Sequence, residues 1–167
     1  MPLLRLFLDI CLLRAAPQDI PAAPVLFWLA LFAYLGSGLL ALVPTEGLVR
    51  AAGMLAVDVV TLLALLAATL QWRGHPARFR QTATAMFGTG TLLGLLLLPV
   101  VMLGGTGESA AGIVFPLWLA LFLWGLAVTA HILRHALETS FATASLVAVG
   151  YLVVSLLFIE TLFPRVA

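Results

Sequence analysis

The sequence has few charged residues and therefore lacks what a water-soluble surface needs. Of its 167 residues, 9% are charged and 63% are hydrophobic, and the mean hydropathy is +1.19. A soluble globular chain has roughly 25% charged and about 45–50% apolar residues. The composition therefore excludes a soluble domain and predicts an integral membrane protein. The formal net charge of +1 provides no field that would attract a nucleic acid.

Cysteine and lysine are also scarce. The single cysteine, Cys11, excludes an internal disulfide, and its apolar neighbours predict a packed or lipid-facing thiol. All eight basic residues are arginines, and alanine and leucine are abundant, which is typical of a GC-rich bacterial genome. We therefore expect the membrane to be bacterial.

Five apolar segments are long enough to cross a bilayer, because about 20 helical residues span ~30 Å of hydrocarbon. They comprise residues 24–44, 49–72, 81–103, 112–133 and 140–163. The connections between them are short, so consecutive helices should be antiparallel neighbours. The sequence predicts an all-α, polytopic membrane bundle, with five transmembrane helices forming one domain over residues 24–167.

The arginines are distributed unevenly between the two sides of these spans. With a cytoplasmic N-terminus, only Arg50 and Arg165 lie on the outer side. This positive-inside bias predicts a bacterial inner-membrane protein with a periplasmic C-terminus. The other arginines form a candidate cytoplasmic basic face for anionic lipid headgroups or a protein partner. They are Arg5, Arg14, Arg73, Arg78, Arg80 and Arg134.

Residues 1–23 differ from the rest of the chain. The first fourteen are too short and too charged to span a membrane. Arg5 and Asp9 are one helical turn apart, while Phe7 and several leucines occupy the opposite arc. This pattern predicts an amphipathic helix that lies in the cytoplasmic interface. Three prolines in residues 15–24 predict an extended connector into the first span.

One acidic residue, Asp58, falls near the middle of the second span. A lipid-facing carboxylate is costly, so its side chain should face the interior of the bundle. A carboxyl group that is hydrogen-bonded by hydroxyls from other helices has two interpretations. It can be a clasp that fixes helix register, with about 1 kcal/mol per interhelical hydrogen bond, or a site for a proton or ligand. The candidate hydrogen-bonding partners at a similar depth are Tyr34, Ser37, Thr61, Thr89, Thr91 and Tyr151.

Small residues indicate where these spans can approach one another closely. Gly90 and Gly94 in the third span are four residues apart, as are Ala33 and Ser37 in the first. Without a hydrophobic force between helices in lipid, close backbone approach becomes a main source of packing energy. We expect these positions to lie at helix contacts.

A second candidate site follows the fourth span. His131, His135 and Glu138 are spaced at i, i+4 and i+7, which places them on one face of a continuing helix. Imidazole and carboxylate ligands suit zinc or another divalent ion. The alternative interpretation is interfacial anchoring, and it is favoured by Arg134, whose charge would repel a metal. We therefore expect no resident cofactor.

The main catalytic signatures are missing from the sequence. It contains no phosphate-binding glycine loop, no HExxH, no CxxC and no GxSxG. We therefore expect a protein that is not an enzyme.

The layout of the chain carries a resemblance to a known family. Five spans, a short amphipathic and proline-bearing lead, a short outer tail and a third span rich in small residues resemble the Yip (Ypt-interacting protein) family and its bacterial relatives. The turn VPTEGLVR stands where eukaryotic members carry an acidic-aromatic-glycine-proline signature. The resemblance implies a five-span helical membrane fold and assigns no functional residue.

Two functions fit these observations. The first is an accessory or scaffold protein that recruits or stabilises partners in the membrane, with another membrane protein or a second copy of the chain as the partner. The alternative is a small transporter, or a lipid- or quinone-handling protein, that uses Asp58.

Overall fold

The computed structural model describes residues 3–104 and 108–164, and Arg165 lies outside them. Within these residues the chain forms six α-helices, two short 3-10 turns and no β-strand. The helices are α1 (Leu3–Cys11), α2 (Pro24–Glu46), α3 (Leu48–Trp72), α4 (Phe79–Gly104), α5 (Glu108–Ala136) and α6 (Phe141–Leu162). Five of these described helices, α2 to α6, are long and apolar enough to cross a membrane. This confirms the predicted all-α bundle and its five spans.

The turns between spans depend on glycine at two positions. Gly47 alone separates α2 from α3, and Gly74 follows α3; both have a φ of 76°. This left-handed conformation is strained for residues that carry a Cβ atom. The first span was predicted to end at Pro44, but α2 continues to Glu46. A proline so close to the end of a helix removes only one backbone hydrogen bond, so the last turn still forms.

The helices α2 to α6 form a closed ring in the order α2, α3, α6, α5, α4, and each packs against its two neighbours. Helices α2 and α4 approach closely through small residues. A methyl group on Gly90 would lie 2.9 Å from the Tyr34 ring, and one on Gly94 would lie 3.7 Å from the Ser37 hydroxyl. The predicted small-residue positions of α4 therefore do face α2.

The two ends of the ring are packed differently. We call the end where α3, α5 and the turn Pro76–Arg78 meet the arginine-rich end, because it carries Arg73, Arg78, Arg80 and Arg134. Toward this end Leu66, Leu70 and Phe87 are fully buried. Toward the opposite end, residues 117–120 of α5 are all exposed. Apolar packing therefore holds the helices together mainly in the arginine-rich half.

Helix α1 packs across α4 and α5. Its Ile10 and Cys11 are buried, and its Phe7 ring occupies the space above Gly88. The indole nitrogen of Trp124 donates a hydrogen bond to the Cys11 carbonyl, 2.8 Å away. These contacts attach the N-terminal helix to the ring.

Some residues of the apolar arc predicted for α1 pack against the ring, and the others are exposed. Phe7 and Cys11 face the ring, whereas Leu4, Leu8 and Leu12 are exposed. The connector was predicted to be extended, but part of it, Pro17–Asp19, forms a 3-10 turn. The Asp19 carboxylate accepts a hydrogen bond from the Ala16 backbone N–H at 2.8 Å and so stabilises the turn locally.

Substitution Gly88→Ala tests whether Phe7 attaches α1 to the ring. The added methyl group would overlap the Phe7 ring, so the ring must move. Because this ring attaches α1, we expect α1 to loosen and Cys11 to become more exposed. Burial raises the pKa of the Cys11 thiol to about 11, and the wild-type thiol should therefore react slowly with maleimide at pH 8. We expect Gly88→Ala to accelerate labelling severalfold.

The matched control is Gly36→Ala on α2, where a methyl group meets no atom within 4 Å. It should label at the wild-type rate. Equal labelling of Cys11 in all three proteins would contradict the proposed attachment.

Candidate functional site

Asp58 lies on the inner face of α3, deep within the spanning region. It is about 15 Å from Leu48 and about 21 Å from Trp72, the two ends of the helix. The inner face also carries buried Leu55 and Val59 at helical spacing. The periodicity of α3 therefore directs the Asp58 side chain into the ring, where it is half-buried.

Two hydroxyl groups from other helices hold the Asp58 carboxylate. The Tyr34 hydroxyl on α2 donates to Oδ2 at 2.7 Å, and the Ser155 hydroxyl on α6 donates to Oδ1 at 2.7 Å. Two donors on two carboxylate oxygens are the arrangement that suits an ionised carboxylate. Each oxygen retains capacity to accept a further hydrogen bond. Asp58 therefore links three helices of the ring and still has acceptor capacity left.

Of the partners predicted for Asp58, only Tyr34 hydrogen-bonds to its carboxylate. Three other hydroxyls donate to backbone carbonyls of their own helices: Ser37 to Tyr34, Thr89 to Ala85 and Thr91 to Phe87. This local bonding is common for serine and threonine in helices. It satisfies the hydroxyl groups without an interhelical partner.

The remaining two predicted partners, Thr61 and Tyr151, do not bond to Asp58. Thr61 is buried beside an apolar groove between α3 and α6. The Tyr151 hydroxyl pairs with the Thr69 hydroxyl, also between α3 and α6. Tyr151 was among the predicted partners and Ser155 was not, although the two are one helical turn apart on α6. A depth comparison of every hydroxyl in the fifth span would have found Ser155.

A cavity of about 340 Å³ lies inside the ring, and Asp58 lines it. All five helices α2 to α6 contribute to its wall, which is predominantly apolar. Its polar lining residues are Tyr34, Asp58, Thr129, Tyr151 and Ser155. The volume is within the range of small-molecule sites, which are typically apolar with a few convergent polar groups.

The arginine-rich end uses two of its arginines to cap α5. Arg73 donates to the Leu137 carbonyl at 3.1 Å, and Arg78 donates to the Ala136 carbonyl at 3.2 Å. The last carbonyls of a helix have no partner within it, and cations at this end also interact favourably with the helix dipole. Arg78 also forms an ion pair with Glu138, and this hydrogen bond and charge lower the pKa of Glu138.

The other four arginines of the predicted basic face have different surroundings. Arg5, Arg14 and Arg80 are exposed, whereas Arg134 is half-buried and contacts the His135 ring at 3.2 Å. An interaction of the exposed three with an anionic surface stays a prediction.

The predicted metal site at His131, His135 and Glu138 is not formed. Within residues 3–104 and 108–164, no three histidine, cysteine or acidic side chains are arranged to hold a metal ion. His131 is buried and bonds to the Ala15 carbonyl at 3.0 Å. The proposed i, i+4, i+7 face does not form because α5 ends at Ala136 and Glu138 has a φ of 50°, so helical spacing does not extend to Glu138.

Comparison with known proteins adds no further assignment. The chain matches no protein-family model, no curated protein and no solved structure. The resemblance to the Yip family therefore stays a prediction.

Substitution Gly90→Ala tests whether the close approach of α4 positions Tyr34. The added methyl group would lie 2.9 Å from Cε2 of Tyr34, so the ring must move away from Asp58. We expect the free energy of unfolding in mild detergent to fall by about 0.6 kcal/mol, the average size of one interhelical hydrogen bond in double-mutant cycles. Gly150→Ala, where the methyl group meets no atom within 4 Å, is the control.

The double variant Gly90→Ala with Tyr34→Phe identifies the cause. If both changes act on the same hydrogen bond, their combined effect on unfolding should be smaller than the sum. Fully additive effects would show that Gly90 does not act through Tyr34.

Proposed function

We propose that this protein binds a small lipid-soluble molecule in the cavity and acts as a small transporter or as a lipid- or quinone-handling protein. The observation that carries this proposal is that Asp58 is hydrogen-bonded by two helices and also lines a cavity. A carboxyl group that served only as a clasp would be expected to have side chains packed around it. Here its free acceptor capacity faces space.

Free energies favour the same proposal. Placing an aspartate at the centre of a spanning helix costs about 2.5–3.5 kcal/mol on insertion scales. An interhelical hydrogen bond contributes on average about 0.6 kcal/mol and at most about 1.7 kcal/mol in double-mutant cycles. At the average value the two bonds to Asp58 offset about 1.2 kcal/mol, which is less than half of the insertion cost, and only at the maximum value would they match it. A function that requires the carboxylate accounts for its presence better than stability does.

The proposed function involves binding and not catalysis. The side chains that contact the Asp58 carboxylate are the hydroxyls of Tyr34 and Ser155, and both are engaged as donors. The apolar wall suits an apolar or amphipathic molecule. We further propose that the arginine-rich end faces the cytoplasm of a bacterial inner membrane, since that end collects Arg73, Arg78, Arg80 and Arg134.

Substitution Asp58→Asn separates the proposed function from a clasp. Asparagine keeps the size of the side chain and can still pair with both hydroxyls, so the fold should persist. It removes the charge, so we expect the loss of small molecules that copurify with the wild-type protein in lipid nanodiscs. Mass spectrometry measures these molecules, and thermal unfolding checks the fold.

Thr91→Val is the matched control, because the Thr91 hydroxyl bonds only within α4. It should retain the copurifying molecules. If Asp58→Asn also retains them at the wild-type amount and unfolds at the wild-type temperature, Asp58 is a clasp.

A second candidate function, the membrane scaffold, is favoured by the outer half of α5. Residues 117–120 are consecutive and all exposed, so every side of this helical turn is partly uncovered by the described part of the ring. Trp118 stacks on Phe122 there, with ring centroids 5.3 Å apart. An all-round apolar helix segment suits packing against a further transmembrane helix. We take a second copy of this chain as the partner to be tested.

Disulfide cross-linking in native membranes tests this self-association. In a Cys11→Ser background, Leu119→Cys should give a product of twice the mass of the chain on mild oxidation. Leu146→Cys on α6, which is also exposed, is the control and should remain monomeric. Monomer alone from both variants would contradict self-association through α5.

A further inference from the structure

The residues that line the cavity are least buried where α5 packs against α6. Among the residues that line it, Phe122 on α5 is 37% exposed and Leu156 on α6 is 50% exposed. The other lining residues are half-buried or buried. Access to the cavity is therefore past Phe122 and Leu156.

This opening is at the level of Asp58 and within the hydrocarbon region. Phe122 is about 21 Å along α5 from Ala136, and Leu156 is about 22 Å along α6 from Phe141. Asp58 is at the same distance from the arginine-rich end of α3. Because α6 is about 33 Å long, this level is well inside a bilayer. The opening therefore faces acyl chains and not water.

The site around Asp58 offers hydrogen-bond acceptors. The hydroxyl hydrogens of Tyr34 and Ser155 are both donated to Asp58, so the free capacity is on the carboxylate and hydroxyl oxygens. A head group must therefore donate hydrogen bonds to be held there. Carboxylate and phosphate head groups accept hydrogen bonds and would find no free donor beside Asp58, which excludes them from this site.

The volume limits which part of a molecule can enter. A cavity of about 340 Å³ accommodates a ring-sized head group but not a long apolar tail as well. A lateral opening solves this problem, since the tail can remain among the acyl chains while the head group is inside.

We infer that the cavity takes the head group of an uncharged or cationic lipid-soluble hydrogen-bond donor, such as a quinol, which enters sideways between Phe122 and Leu156. This inference rests on the proposed function and adds to it the chemical class of the ligand and its route. The opening at Asp58's level and the acceptor-only character of the site are the two observations that carry it.

A matched pair of probes tests the chemical class. Decylhydroquinone carries two hydroxyl donors, whereas decylquinone has the same ring and tail but only acceptors. Equilibrium binding to the full chain in nanodiscs, under anaerobic conditions, should give a Kd about tenfold lower for decylhydroquinone, because hydrogen bonds to a charged group are lost in the quinone. Decanoate should not bind. Equal binding of hydroquinone and quinone, no binding of hydroquinone, or binding of decanoate would overturn the inference.

Two neighbouring positions on α6 test the route. Leu156→Trp narrows the opening and should slow both association and dissociation of decylhydroquinone severalfold, while Leu157→Trp, exposed but outside the cavity wall, should not. Unchanged rates in Leu156→Trp would reject lateral entry. If Leu156→Trp does not fold, Phe122→Trp replaces it with the same expectation.

These outcomes are distinguishable from failure of the proposed function. If Asp58→Asn removes the copurifying molecules but hydroquinone and quinone bind equally, the cavity is a binding site. The inference that its ligand must donate hydrogen bonds is then wrong. If Asp58→Asn changes neither the copurifying molecules nor probe binding, the proposed function itself fails.

Discussion

The carboxylate of Asp58, held by Tyr34 and Ser155, is the interaction on which the centre of this bundle depends. In hydrocarbon there is no water to complete the hydrogen bonds of a polar group, so its partners must come from other helices. This requirement brings α2, α3 and α6 together at one level. Gly90 contributes indirectly, since the absence of a side chain lets the Tyr34 ring lie against α4.

The cavity follows from how the two halves of the bundle are held. At the arginine-rich end, Arg73 and Arg78 bind the last carbonyls of α5, and fully buried residues such as Leu66 and Phe87 fill the ring. Beyond the level of Asp58, on the side away from the arginine-rich end, residues 117–120 of α5 are exposed and are not enclosed by buried side chains in this way. Helices joined firmly at one end and at one central polar contact leave space between them, and that space opens between α5 and α6.

Properties that depend on local sequence signals were predicted correctly. Properties that depend on how the helices are oriented against one another were not. The five spans were predicted within a few residues, because hydropathy averages over many positions. The position of Asp58 in the middle of α3 also followed from counting residues. The candidate metal site is not formed because α5 ends before Glu138. Ser155 is at the depth of Asp58, whereas Tyr151, the hydroxyl expected there, pairs with Thr69. Most hydroxyls proposed as partners bond to their own backbone instead.

By itself the sequence determined the membrane class, the number and length of the spans and the position of Asp58 in the middle of its helix. These properties depend only on composition and on the fixed rise of a helix. Only the tertiary structure decided which hydroxyls reach Asp58, where the cavity lies and which side of it is open. Those properties depend on how each helix is rotated and crossed against its neighbours, and a residue count along one helix carries no information about that rotation.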